Sequence, residues 1–213
     1  MRIAVVYVFV PTLAYENMAR RFATEYINHP PGESEHDLFV CVNGGGKVTP
    51  GQERLFDPLV PQFIYHDNSA KDLGAYFKAA RTIPCDVLVC IGSPVRPRLA
   101  GWLDRMAAAV EQNGPGIYGC WAFHEPTKHI RTTMFWITPE LLNAYPYAID
   151  NSRRYWFEHS ANSITSWCLR NGFCACQVTA RGAFHVEQWH TPEQEDCLML
   201  DQHCDRLGWK DEG

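Results

Sequence analysis

QFIYHDNSAKDLGAYFKAAR, Gln62 to Arg81, decides how this chain is read. A short aromatic and β-branched run, QFIY, passes through HDNSA into a segment whose Leu73, Tyr76, Phe77 and Ala80 recur at helical spacing. This is a strand, a polar loop and a helix. The same unit precedes and follows it. RIAVVYVFV is a continuous apolar run of the kind that a doubly covered strand needs, and YENMARRFATEYIN has helical spacing. DLFVCVN, ending in GGG, and CDVLVCIGS are further strands, and RPRLAGWLDRMAAAVEQNG reads as a long amphipathic helix stopped by Gly114 and Pro115. Alternating strand and helix predicts an α/β fold, a mostly parallel sheet with helices on both faces.

The second half changes character. GIYGCWAF and HIRTTMFWIT read as two strands joined by HEPTK, PELLNAYP as a short helix, and a further helix is expected from about Trp156 to Arg170. CACQVTARGAF is a last strand, and 191–213 reads as a polar, partly helical tail. One domain is expected, in two unequal halves over 1–114 and 115–190, followed by the tail. A closing KDEG leaves open that the chain is cut from a longer protein.

The net charge of −5 argues against a general nucleic-acid binder, which needs a basic face. No apolar run reaches the roughly 18 residues of a membrane span. The nine cysteines are odd in number, form no Cys-x-x-Cys and in part sit within apolar runs, so a reducing, cytoplasmic compartment without disulfides is expected.

Ligands of parallel α/β sheets bind outside the carboxyl ends of the strands. Here those ends are VFVPT, VNGGG, HDNS and IGSPVRP, all small or polar. The order of DNSAKDLGAY, GSPVRP, WLDRM, GPGIYG, HIRTTMFWITPELL and EHSANSITSW resembles small nucleotide-sugar glycosyltransferases of the GT-A fold, a Rossmann-type architecture. The resemblance runs from about Ile3 to Trp189 and is nearest the branch tied to rhamnose-containing polysaccharides. It implies transfer of a sugar from a nucleoside-diphosphate carrier, UDP- or dTDP-linked, to a glycan hydroxyl, and with it a nucleotide-sugar site drawn from Val8, Asp67, Asn68, Lys71, Asp72, Gly74, Ser93, Arg96 and His185. Asp67 and Asp72 would accept hydrogen bonds from base or ribose, Lys71 would face a phosphate, and Gly74 would let the backbone approach closely. The plain alternative for this cluster is a capped helix start.

The chain departs from the pattern at the fourth strand. Most GT-A enzymes carry Asp-x-Asp there to hold Mn²⁺ or Mg²⁺, and this chain has Gly92-Ser93-Pro94. A hard cation wants carboxylate oxygens. Either the reaction proceeds without metal, with Lys71, Arg96, Arg98 or Arg131 meeting the charge of the diphosphate, or Mn²⁺ or Mg²⁺ sits elsewhere. The expected general base is Glu158, among aromatic residues, with Asp150 second. His129, Arg131 and Thr133 alternate along an expected strand and so would share a face toward acceptor or diphosphate. Trp121, Trp136 and Trp156 lie nearest the expected cleft. His185 and His190, with Cys197, His203 and Cys204 close by in sequence, raise a zinc site as an alternative, but their spacing fits no familiar zinc pattern. Two rivals stand beside the transferase: a nucleotidyltransferase with the same α/β half, and a degenerate transferase kept as a carbohydrate- or nucleotide-binding module.

Overall fold

The computed structural model describes residues 1–206, 208 and 209, with the side chain of His203 outside the described residues, as is the KDEG end. The elements alternate as expected at first: β1 (Ile3–Phe9), α1 (Leu13–Asn28), β2 (His36–Asn43), α2 (Pro50–Glu53), β3 (Gln62–His66), α3 (Lys71–Thr82), β4 (Val87–Ile91), β5 (Arg96–Pro97) and α4 (Trp102–Asn113). The second half contains β6 (Gly116–Gly119), β7 (Ala122–Phe123), β8 (His129–Ile130), β9 (Met134–Ile137), α5 (Pro139–Ala144), α6 (Arg154–His159), α7 (Ile164–Arg170), β10 (Cys174–Thr179), β11 (Gly182–His185), β12 (Met199–Leu200) and α8 (Gln202–Arg206).

Eight strands form one mixed sheet in the order β11-β10-β6-β9-β4-β1-β2-β3. β3, β2, β1 and β4 run parallel, β9 runs against both β4 and β6, and β10 is parallel to β6. The mostly parallel α/β sheet of the sequence reading is therefore present. Every residue of β1 is buried because both faces are covered. Val5, Tyr7 and Phe9 pack toward α1 and α4, with Phe22 stacked on Tyr7 at 3.9 Å and Trp102 fully buried. Ala4, Val6 and Val8 pack on the other face, in a cluster that includes residues of α3, α5 and α7. Each such aliphatic burial contributes roughly 1.5–3 kcal/mol.

Four expectations are corrected. The helix expected from Arg96 begins only at Trp102, because Arg96 and Pro97 are taken up by β5, paired with β12. HIRTTMFWIT is two short strands separated by a turn at Thr132–Thr133, so His129, Arg131 and Thr133 share no strand face. The single helix expected over 156–170 is two, α6 and α7, with Ser163 capping the second by accepting from Ser166 N. The polar tail carries Cys197 to Leu200 into the core at 1% exposure or less. Among the described residues, no helix is long and apolar enough to cross a membrane.

Candidate functional site

The parallel strands end at one edge of the sheet, and their ends are tied together there. Gly44 N and Gly45 N both donate to the His66 carbonyl at 2.9 and 3.0 Å, joining the ends of β2 and β3. Ser93 Oγ donates to the Val8 carbonyl at 2.7 Å, and Tyr7 OH donates to the Ser93 carbonyl at 2.9 Å, joining β1 to the end of β4. Gly92 N donates to the Thr133 carbonyl at 2.8 Å. Antiparallel β9 thus delivers the Thr132–Thr133 turn to the edge where β4 stops.

A cleft of about 330 Å³ opens at that turn. The start of α3 supplies Asp72 as one wall, α6 supplies Arg154, Glu158 and His159 as the other, and Thr132 and Thr133 lie between. Burial pushes the Asp72 carboxyl above its ordinary value, and Arg154, with Nη2 at 3.9 Å, pulls partly against it. Glu158 has its oxygens engaged. Oε2 accepts from Thr132 N at 2.7 Å and from the Thr132 hydroxyl, and Oε1 lies 3.0 Å from His159 Nε2. Burial pushes the His159 imidazole below its ordinary value, with the Glu158 carboxylate opposing. His129 packs edge-on against His159, ring centroids 4.4 Å apart. His129 is 3% exposed, which makes it a buried neighbour of the cleft and not a solvent-facing strand residue.

The loop into α3 holds the rest of the expected nucleotide site. Asp67 Oδ1 accepts from Ser69 N at 2.9 Å and Ser69 Oγ at 2.6 Å, and these two hydrogen bonds hold its carboxyl below the usual range. Asn68, Ala70 and Lys71 all have positive φ, 71°, 55° and 54°. Side chains with a β-carbon adopt that conformation at a cost of about 1–2 kcal/mol each. Three in four residues mark a backbone bent on purpose, which functional loops tolerate. The close approach at Gly74 is that of the loop itself: a β-carbon there would lie 1.9 Å from the Ser69 carbonyl oxygen.

Several expected residues lie apart. Arg96 is 2% exposed, and its Nη2 donates to Asp205 at 2.7 Å, so it serves the packing of the C-terminal segment. His185 ends β11, the strand at the far edge of the sheet from β3, opposite Cys176. Asp150 is exposed and accepts from Ser152 N, Ser152 Oγ and Arg153 N, which makes it the cap of the turn into α6. Arg131 pairs with buried Asp201 at 3.2 Å and donates from Nε to Thr133 Oγ1 at 3.2 Å. Trp121 and Trp136 are core residues, and Trp156 alone of the three is exposed. Arg154, His159 and Thr132 were not singled out from sequence. The adjacency of Glu158 and His159 was visible there, but nothing in the spacing joins them to His129 or Thr132.

The end of β4 does not fit Mn²⁺ or Mg²⁺. Gly92-Ser93-Pro94 carries no carboxylate, and the one side-chain oxygen, Ser93 Oγ, is spent on Val8. A different donor set stands nearby: one ligand atom each of His129, Glu158 and His159 lie within 4.8 Å of one another.

With sheet order and cleft in place, comparison with solved structures decides the fold. The glycosyltransferase LgtC, in an active-site mutant form, superposes with a TM-score of 0.54 at 12% identity over 84% of this chain and 73% of that one. The fold is GT-A-like. The mannosyltransferase PcManGT from Pyrobaculum calidifontis, solved with GDP-Man and Mn²⁺, superposes at 0.50 and 12% identity over 71% of this chain. The match spans half of that enzyme, 50% of its length. CMP:2-keto-3-deoxy-manno-octonic acid synthetase, solved with CTP, superposes at 0.51 and 9% identity over 81% of this chain and 86% of that one. No family model matches the sequence, and no curated protein matches it. At these identities the likeness establishes the GT-A-like fold, and the chemistry rests on the cleft.

Proposed function

We propose that this chain is a glycosyltransferase that moves a sugar from a nucleoside-diphosphate donor to the hydroxyl of a glycan acceptor. The observation that carries the reading is the cleft beside the end of β4, where a burial-raised carboxyl, Asp72, faces a guanidinium, Arg154, at 3.9 Å. The fold-level likeness supports it by analogy, since PcManGT, of similar fold, was solved with GDP-Man. In the transfer, the bond from the anomeric carbon to the diphosphate oxygen breaks and its electron pair leaves with the diphosphate. A new bond forms to the acceptor oxygen, and the acceptor proton passes to a carboxylate.

Asp72 suits that base role better than Glu158. A base must have a free lone pair and a pKa raised toward the working pH. Asp72 has its carboxyl raised, whereas Glu158 already accepts twice from Thr132 and faces His159 with its other oxygen. Glu158 then positions the Thr132 turn. Arg154, only loosely paired, meets the charge growing on the diphosphate, with Lys71 at the start of α3 as a second cation. A carboxylate base acting on the acceptor fits inversion at the anomeric carbon. The UDP- or dTDP-linked donor and the rhamnosyl preference remain part of this proposal.

The nucleotidyltransferase reading is favoured by one observation, the likeness to the CTP-bound synthetase over most of both chains. Products separate the two. A transferase releases nucleoside diphosphate from a nucleotide sugar, and a nucleotidyltransferase releases pyrophosphate from a nucleoside triphosphate. The test is a titration of UDP- and dTDP-sugars in EDTA and in Mn²⁺, followed by product analysis with simple glycan acceptors. Diphosphate release that depends on acceptor supports the proposal. Pyrophosphate release from CTP replaces it. Binding without turnover would make the chain a nucleotide-sugar binding module.

A further inference from the structure

We infer that His129, Glu158 and His159 form a site for a zinc-class divalent ion, made by residues other than the Gly92-Ser93-Pro94 end of β4. Their candidate ligand atoms lie within 4.8 Å of one another, and they come from two elements that nothing in the sequence links, β8 and α6.

The site is built and oriented. Buried His129 has Nδ1 2.7 Å from the Thr127 carbonyl oxygen. A carbonyl only accepts, so Nδ1 carries the proton and Nε2 keeps its lone pair. A backbone carbonyl on the outer nitrogen is the usual support of a metal-binding histidine. Thr127 positions the second histidine as well, because its hydroxyl donates to the His159 carbonyl at 2.7 Å. Thr132 holds Glu158 Oε2 with its amide and hydroxyl, which turns Oε1 toward His159. Oε1 and His159 Nε2 are 3.0 Å apart, close to the edge of about 3.4 Å between two ligands of a tetrahedral ion with bonds near 2 Å. Nδ1 of His159 is buried and has no hydrogen-bond partner. That leaves one polar atom of the ring uncompensated, while its other nitrogen faces Glu158.

The donor set names the class of ion. Two imidazole nitrogens and one carboxylate suit Zn²⁺ and Co²⁺, whereas Mg²⁺ prefers an oxygen shell and sheds its water reluctantly. Glu158 and His159 line the open cleft with His129 buried beside them, so three protein ligands leave a coordination position on the cleft side.

The test uses chelator-treated full-length chain without any nucleotide sugar, so its result stands apart from the transferase proposal. Calorimetric titration should show a single Zn²⁺ per chain, bound far more tightly than Mg²⁺. His159→Ala, at the cleft surface, and His129→Gln, in the interior, should each weaken Zn²⁺ at least about tenfold, and Thr132→Val should do so through Glu158 by about 10–100-fold. In EDTA His159→Ala should melt with wild type, and added Zn²⁺ should raise the melting temperature of wild type but not of that variant. Co²⁺ should give visible bands without thiolate-to-cobalt absorption, which excludes the cysteines as ligands. Absence of stoichiometric Zn²⁺ binding, unchanged affinity in both histidine variants, or a thiolate band would each overturn the site. Zinc binding without nucleotide-sugar binding would leave it standing and remove the transferase.

Discussion

Asp72 sits where burial and a guanidinium pull in opposite directions, and burial prevails. Its folded-state pKa lies above the unfolded value, so stability is fully present at low pH and is lost as pH rises through the folded value. Asp72→Asn removes that penalty. The variant should melt higher than wild type at about pH 8, yet transfer sugar at least about a hundredfold more slowly. Wild-type turnover should fall on acidification with a midpoint above the ordinary carboxylate value of about 4. Calorimetry and a pH–rate profile check both, and an Asp72→Asn enzyme with full turnover would remove the base assignment. Two residues on, Gly74 has no space for a β-carbon, which would meet Ser69 O at 1.9 Å and His66 Cε1 at 2.6 Å. Gly74→Ala should cost about 1–3 kcal/mol in urea unfolding, since backbone must move to admit it. At this scale the sequence was informative where residues are neighbours in the chain. Asp67, Asn68, Lys71, Asp72 and Gly74 all fall in one strained helix entrance. It was silent where the partner is remote, as for Thr132 and Glu158, 26 positions apart.

Elements stop where local chemistry stops them, and two ends are open to test. Helix α7 starts at a buried Ser163 whose hydroxyl accepts from Ser166 N at 3.1 Å. Ser163→Ala should cost about 0.5–2 kcal/mol, measured by urea unfolding. Near the start of α4, Asp104 gathers the loop that leaves α1, accepting from Ser34 Oγ at 2.6 Å, Ser34 N at 2.8 Å and Glu33 N at 3.0 Å. The Ser34 hydroxyl foremost, then the amides of Glu33 and Ser34, hold its carboxyl below the usual range. A depressed folded pKa contributes stability above the unfolded value of about 4 and loses it as pH falls through the folded value. Asp104→Ala should therefore cost about 1 kcal/mol near neutral pH, with the gap to wild type closing in acid. Urea unfolding at both ends of that range measures it. The break between α6 and α7 has little signature in the sequence, which is why one helix was expected over this stretch. SANS contains no proline, and only its serine caps, read with their partners, mark the stop.

Across the whole molecule, all nine cysteines are free and eight are buried, Cys174 being the exception. The neighbouring Cys176 thiol foremost, against the opposing effect of burial, and then the contact with the Tyr118 hydroxyl oxygen 3.0 Å away hold the Cys174 thiol down to about 7. A thiol reagent at neutral pH should label Cys174 rapidly in the native chain and reach the other cysteines only as it unfolds, a count that mass spectrometry reads. Several labels appearing early would mean that the two-faced packing around β1 opens more readily than its burial implies. That packing is also where sequence and structure divide. Alternation of strand and helix, the continuous apolar runs and the polar strand ends determined an α/β sheet covered on both faces, because hydrophobic period and turn chemistry are local properties. That Gly92-Ser93-Pro94 offers no carboxylate was equally plain in the residues alone. Only the tertiary structure decided that β9 enters the sheet antiparallel beside β4, that the 197–200 stretch is core, and that Arg96 and His185 stand away from the cleft. It alone brought His129 to Glu158 and His159. Such contacts depend on the order in which strands pair and on how helices cross them, and those are set by burial summed over the whole chain, which no short stretch of residues contains.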